Sequence, residues 1–188
     1  MRNLLILAAT LAQLFGSAAI AECPAAPVVR NEILTLIAKA QSAKSFTEGR
    51  RVSGQMWLVW LRAPDEQAQT MLDTGMSHRE TFDFPKALAE FDGLIAYCPA
   101  YAEGWNQRAY IHFLSENYEQ ALADLDAALI LQPFHIAAQS GRALTLMNLG
   151  RLKEARAQLL NAVDNNPWLS ERALLEDGAP LGLQGKEL

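Results

Sequence analysis

Cysteine and histidine are scarce in this chain, with 2 and 3 copies among 188 residues. So few soft ligands leave no zinc cluster of the Cys-x-x-Cys type, and no H-E-x-x-H pair occurs. Glycine-rich phosphate loops and the G-x-S-x-G elbow are also missing, so catalysis has no recognisable site and no cofactor is implied. Cations are outnumbered, 16 Lys and Arg against 21 Asp and Glu, and no basic run interrupts the acidic balance. A nucleic-acid partner is therefore excluded on electrostatic grounds.

Long apolar runs are confined to the N-terminus. In "MRNLLILAATLAQLFGSAAIAEC" one cation, Arg2, precedes an apolar stretch from Leu4 to Phe15, and Ala19-Ile20-Ala21 supplies small residues at a cleavage site. Residues 1–21 read as an export signal. A membrane anchor needs about 20 apolar residues, and Gln13 and Gly16 interrupt this run sooner. Lipidation at Cys23 would ask for a small residue where Glu22 stands. Cleavage after Ala21 removes one cation and no anion, so the mature chain is more acidic still. Its expected location is the bacterial periplasm.

What the sequence has is a period. Pro64, Pro99, Pro133 and Pro167 are spaced by 35, 34 and 34 residues. Gly75, Ala109 and Ala143 keep the same interval, as do Ala87, Ala121 and Ala155, and Phe91, Leu125 and Leu159. Small residues recur where helices cross at about 8–10 Å, and large apolar ones recur where they pack. Local signals place the second helix of each unit near 84, 118 and 151. Asp83 precedes Phe84-Pro85, Asn117 with Gln120 resembles a capping box, and Gly150 supplies a turn.

Trp105, Ala109, Ala121, Leu125 and Pro133 in this spacing resemble the tetratricopeptide repeat (TPR) signature, and the neighbouring units repeat it with Met71 or Gln139 in place of the Trp. The resemblance implies an all-α solenoid of antiparallel helix pairs wound into a right-handed superhelix with a concave face. The expected organisation is a helix pair over 22–67 acting as a degenerate repeat or cap, and repeats over 68–101, 102–135 and 136–169. Residues 170–188 are expected to form a capping helix and a loose tail. Within 22–67, "QMWLVWLRAP" is apolar almost all round, which predicts burial on several sides.

The stretch "GWNQRAYIHF" (104–113) decides which face is offered. At 100° per residue Trp105, Ala109 and His112 share the packing face, and Asn106, Tyr110 and Phe113 the adjacent one. Its equivalents are Leu72, Met76 and Arg79 in the first repeat, and Ser140, Leu144 and Met147 in the third. These nine residues form the expected groove for a peptide or helix. Carboxylate-clamp members of the family use Lys and Asn here; Asn106 alone matches. His78 and His112 stand 34 apart, hence roughly a helix spacing of 10 Å, and cannot share a metal whose nitrogens lie at about 2 Å. They are expected to pack structurally, and His135 falls in a turn with no evident partner. Arg108 and Arg142 occupy positions that are apolar in the family, with Glu90, Asp92, Asp124 and Asp126 as expected partners.

The function expected is a non-catalytic adaptor binding another envelope protein or peptide. The alternatives are a self-assembling subunit, a homo-oligomer whose groove is filled internally by the first helix or the tail, and a redox role for the cysteines. Cys23 and Cys98 survive cleavage into an oxidising compartment. With helices alternating in direction, the start of the first and the end of the fourth lie at one end of the stack, and the four residues after Cys23 reach about 13 Å. Pairing them would contribute about 4 kcal/mol by the loop-entropy model; the alternative is an inert buried Cys98 and a free Cys23. Mature protein alkylated without reductant is expected to gain no alkyl group, with a peptide map showing the linked pair. Two added groups would exclude the bond.

Overall fold

A computed structural model describes residues 22–183. Eight α-helices follow one another: α1 (Arg30–Ser42), α2 (Phe46–Trp60), α3 (Glu66–Glu80), α4 (Phe84–Tyr97), α5 (Ala102–Leu114), α6 (Tyr118–Leu131), α7 (Ile136–Asn148) and α8 (Leu152–Asn165). A 3₁₀ segment, Ser170–Leu175, ends the regular structure. From α3 to α8 each helix packs on its successor, and the first helices of successive pairs, α3, α5 and α7, also touch. Three antiparallel pairs therefore form one stack with the first helices along one face.

The starts of the helices follow from local chemistry. Asp65 caps α3 by accepting the Ala68 amide at 2.8 Å, and Tyr97 donates to its other oxygen at 2.7 Å. The Ala68 amide, and then the Tyr97 hydroxyl, hold the Asp65 carboxyl below its usual range. Ser45 and Asp83 cap α2 and α4, with Pro85 in the first turn of α4. Asn117 does not close the expected capping box, since its side chain makes no cap bond to α6. A tight backbone turn replaces it. Phe82, Glu116 and Gly150, each 34 apart, adopt φ of 60°, 60° and 73°. The residue after each returns its amide to the carbonyl five back, of His78, His112 and Leu146. Glycine enters this conformation freely, whereas Phe82 and Glu116 hold it at a steric cost.

Packing explains the periodic small residues. A Cβ on Gly75 would lie 2.5 Å from the Phe91 ring, so α3 and α4 approach through that gap. Polar ties reinforce the layers. Arg108 reaches 16 residues each way, bidentate to Asp124 on α6 and at 2.7 Å to Asp92 on α4. Arg142 repeats this with Asp126 and Gln158. Hydrogen bonds to Asp124, and then Asp92, raise the Arg108 guanidinium further above its ordinary value.

The helix pair at the N-terminus departs from the expected position. Instead of extending the stack beyond α3 and α4, it lies along the turns that join one repeat to the next. Ile33, Leu36, Ile37, Val52, Met56, Val59 and Trp60 form one core with Ile136, Phe134 and Trp168. Cys23 is bonded to Cys98 at the first turn, with the Cα atoms 5.2 Å apart. Val29, Arg30 and Ile33 adjoin Leu131 to Phe134 at the second. At the third, Gln41 donates to the Asp164 carbonyl and the Trp168 indole to that of Ala40. Helix α2 returns by the same turns: Ser53 meets Asn166, Trp60 stacks on His135 at 4.4 Å, and the Trp60 carbonyl accepts from Tyr101. With one side on this edge, α2 is not buried all round, and Leu58 is exposed.

His135, expected to lack a partner in its turn, is instead fully buried, because α2 roofs that turn. The C-terminal segment differs as well. Residues 170–175 make a short 3₁₀ turn rather than a full capping helix, and Leu181 is buried against α7 and α8. Its amide donates to the Leu174 carbonyl and its carbonyl accepts from Arg156. The tail up to residue 183 is thus fastened to the last repeat. The export signal, 1–21, and residues 184–188 lie outside the described residues.

Two glycines of α2 give opposite expectations. Glycine inside a helix ordinarily costs about 0.5–1 kcal/mol relative to alanine. Gly54 has nothing within 4 Å of an added Cβ, so Gly54→Ala is expected to stabilise by that amount. At Gly49 a Cβ would fall 2.1 Å from the Trp168 ring, which the Ala40 carbonyl holds in place. Gly49→Ala is expected to destabilise by about 1–3 kcal/mol. Urea unfolding of the two variants checks both signs.

Candidate functional site

The first helices of the three repeats enclose a cleft of about 330 Å³ on their shared face. Arg79 from the last turn of α3, Asn106, Gln107, Ala109, Tyr110 and Phe113 from α5, and Ala137, Gly141, Leu144 and Thr145 from α7 line it. Leu125 of α6, Trp57 of α2, and Leu169 with Glu171 after α8 complete its lining. The walls are mainly apolar and aromatic, suited to burying an apolar side chain.

Of the nine sequence-predicted groove residues, Arg79, Asn106, Tyr110, Phe113 and Leu144 line this cleft. Leu72 does not: it is fully buried in the core between α3 and α4, with Met76 packed against that core. Ser140 is buried and its hydroxyl is unpartnered, and Met147 packs against the core of the last repeat. The reason is rotational. A concave wall two helices deep exposes a narrower arc of each helix than the two adjacent turns predicted, and the outer flank of that arc turns into the pair interface. Trp57, Leu169 and Glu171 escaped the sequence reading because their segments were assigned to the ends of the stack.

Beneath the cleft runs a buried polar chain. Arg79 donates to the Gln107 side-chain oxygen at 2.6 Å, and Gln107 donates to Glu103 at 2.5 Å. Asn106 donates to both Glu103 oxygens, at 3.3 and 3.2 Å, and His135 Nε2 lies 2.7 Å from one of them. The other imidazole nitrogen, Nδ1, accepts the Ala138 amide and so caps α7. An accepting Nδ1 fixes the neutral tautomer with the proton on Nε2, donating to Glu103. The carboxylate of Glu103, 1% exposed, is thereby satisfied without solvent. Asn106 is committed to it rather than free for a ligand. Nearby, burial pushes the Tyr101 hydroxyl well above its ordinary value.

His112 approaches Asp124 at 3.8 Å on the side where Arg108 ties the helices. Among the described residues no three His, Cys, Asp or Glu side chains are placed to hold a metal ion. No helix among them is long and apolar enough to cross a membrane.

Comparison with known proteins places this architecture. The tetratricopeptide repeat family model matches residues 72–136 and 115–167, which together span just over half of the sequence. The chain belongs to the tetratricopeptide repeat family. A TPR repeat-containing protein of Rhizobium etli is 42% identical over 66 residues, covering 35% of this chain and 32% of that protein. Human tetratricopeptide repeat protein 4 is 33% identical over 98 residues, 50% of this chain and 25% of that one. The matched TPR segment thus spans a third or less of these curated relatives. Among solved structures, the Arabidopsis OM64 TPR domain superposes with a TM-score of 0.56 at 22% identity, covering 58% of this chain and 90% of that domain. The first TPR of Spaghetti (RPAP3), bound to the HSP90 peptide SRMEEVD, gives 0.56 at 18%, covering 57% and 86%. These likenesses establish the TPR helical solenoid.

The polar chain yields a stability contrast. Glu103→Leu would orphan donors of Asn106, Gln107 and His135 in a dry interior, at an expected cost of about 3–5 kcal/mol. Asp126→Ala breaks a half-exposed pair with Arg142 and is expected to cost about 1 kcal/mol or less. Urea midpoints of the two variants measure the difference.

Proposed function

We propose that this TPR protein is a non-catalytic interaction module of the bacterial cell envelope that takes a peptide segment of another exported protein into the cleft between α3, α5, α7 and α2. One observation carries the reading: a cleft with three aromatic side chains, Trp57, Tyr110 and Phe113, in which Tyr110 is 46% exposed. Aromatic surface left open on a concave face is what peptide recognition uses. The family supports the class, and so do two structural neighbours determined with bound partners, the RPAP3 repeat with its HSP90 peptide and the TPR2B domain of yeast Sti1 in its pHsp70 complex. The envelope assignment rests on the signal-like residues 1–21 and on the Cys23–Cys98 bond, which persists in oxidising compartments.

Self-association is the second reading, favoured by the part of the cleft lining that Trp57 and Leu169, from outside the first helices of the repeats, already supply. A photo-crosslinking amino acid in place of Tyr110, activated in cells, separates the two. Adducts with a different envelope protein support peptide capture, and adducts of twice the chain mass support self-assembly. The double variant Tyr110→Ala with Phe113→Ala is expected to stay within about 2 kcal/mol of the parent stability, because both rings face the cleft rather than the core, and to lose the heterologous partner. Loss of folding instead would show that this face is core.

A further inference from the structure

Only two of the residues lining the cleft carry charge, Arg79 and Glu171, and they come from opposite ends of the repeat array. Arg79 belongs to α3 in the first repeat, and Glu171 to the segment after α8. Neither is neutralised by a close ion pair. The nearest carboxylate to Arg79 is that of Glu80 at 3.8 Å, on a mostly exposed side chain. Among the described residues no cation lies within salt-bridge distance of Glu171, whose carboxylate accepts from the Ser170 hydroxyl at 3.1 Å.

The guanidinium of Arg79 is also held ready. Gln107 takes one of its N–H groups and Tyr110 lies under its face at 5.5 Å. A guanidinium has five donors in a planar fork, so an edge remains for a carboxylate to bind in parallel. Among the neutral polar groups of the walls, Asn106 and Gln107 are committed to Glu103 and the Thr145 hydroxyl to the Gly141 carbonyl, which leaves the Tyr110 hydroxyl and the Trp57 indole N–H open within the aromatic part of the lining. Ligand discrimination falls to the two charges and to the aromatic walls between them.

Size limits the rest. The cleft volume sits at the low end of the roughly 300–1,000 Å³ found for ligand pockets, and the α2 side chain of Trp57 takes up part of its lining. A helix about 10–12 Å across does not enter such a space; an extended strand with one ring does.

Resting on the peptide-binding reading above, we propose that the cleft selects an internal, extended segment with a dipolar pattern. An acidic side chain sits at Arg79, one bulky apolar side chain lies among Trp57, Tyr110 and Phe113, and a basic side chain sits at Glu171. No chain terminus is required. Recognition by charges at two ends differs from a clamp on one terminal carboxylate, and it works for either chain direction.

Blocked synthetic peptides test this. Ac-Gly-Ser-Glu-Gly-Phe-Gly-Lys-Ser-Gly-amide is compared by fluorescence anisotropy, at low salt, with counterparts carrying two Glu, two Lys or two Gln at the charged positions. The dipolar peptide is expected to bind about fivefold to tenfold more tightly than either like-charged one, which trades one attraction for a repulsion. Glu171→Lys, a change in the exposed C-terminal segment, is expected to move the optimum to the two-Glu peptide. Arg79→Glu moves it to the two-Lys peptide. Equal affinities across the set, or an order unchanged by Glu171→Lys, would overturn the charge assignment. In that case, binding that disappears with Tyr110→Ala would leave the groove reading standing. Absence of binding by all the peptides would overturn both.

Discussion

The fold rests on the contact between α2 and the turns that join one repeat to the next. A solenoid of three pairs is close to the minimum that buries a continuous core, and its turns ordinarily face water. Here Tyr101, His135 and Leu169, each 34 residues from the next, all meet α2: through the Trp60 carbonyl, through stacking on Trp60, and through the hairpin core. Dimensions make this fit. Three layers at about 10 Å spacing separate the outer turns by roughly 20 Å, and a helix of 13 or 15 residues spans about 20 Å. One helix goes out along the row of turns and one comes back. The stack is clamped along an edge, so sliding or splaying of one repeat against another must break contacts with a rigid helix.

That clamp also shapes the cleft. Trp57 lies in α2 between Met56, fully buried in the hairpin core, and Trp60, stacked on His135, so the placement of the core side chains fixes the one that lines the cleft. The polar chain from Arg79 through Gln107 and Glu103 to His135 runs from the rim of the cleft to the Trp60 ring. A satisfied buried network of this kind has one low-energy arrangement, because losing any member orphans its neighbours. The side chains that line the cleft therefore sit on packed elements. A preorganised site loses less entropy on binding.

Much of the repeat architecture was legible because it is local. The spacing of Gly75, Ala109 and Ala143 and of the prolines reports a crossing and a turn that each unit makes alone, and the second helices start at 84, 118 and 152, within a residue of expectation. Asp92, Asp124 and Asp126 were legible as partners of Arg108 and Arg142, since a cation in an apolar register must find an acid within reach, whereas Glu90 pairs with neither and Gln158 takes a place beside Arg142. What stayed hidden depends on tertiary docking. The period stops before 64, so it says nothing about where the first hairpin lies, and an amphipathic helix would read the same at the end of a stack or along its edge. Leu181 looked loose because glycine and proline surround it, yet its amide and carbonyl found partners in Leu174 and Arg156. Four of the nine groove assignments failed for a related reason: helical phase fixes which residues share a face but not how wide an arc the neighbouring helices leave open.

There was nonetheless a signal for the clamp in the turns themselves. A turn bathed in solvent has no use for bulky residues beside its proline, since each would expose apolar area. Yet the second position after Pro99, Pro133 and Pro167 holds Tyr101, His135 and Leu169. These differ from repeat to repeat in type while agreeing in size, the reverse of the helix-packing positions, where one residue character recurs. A repeated interior contact asks for the same side chain each time because the neighbour is the same. A row of turns touching successive stretches of a single crossing hairpin asks for a different one each time: a phenol to donate to the Trp60 carbonyl, an imidazole to stack on Trp60, an aliphatic side chain to join the hairpin core. Bulk that keeps the period while identity does not is thus the mark of a non-repeating element laid across a repeating one.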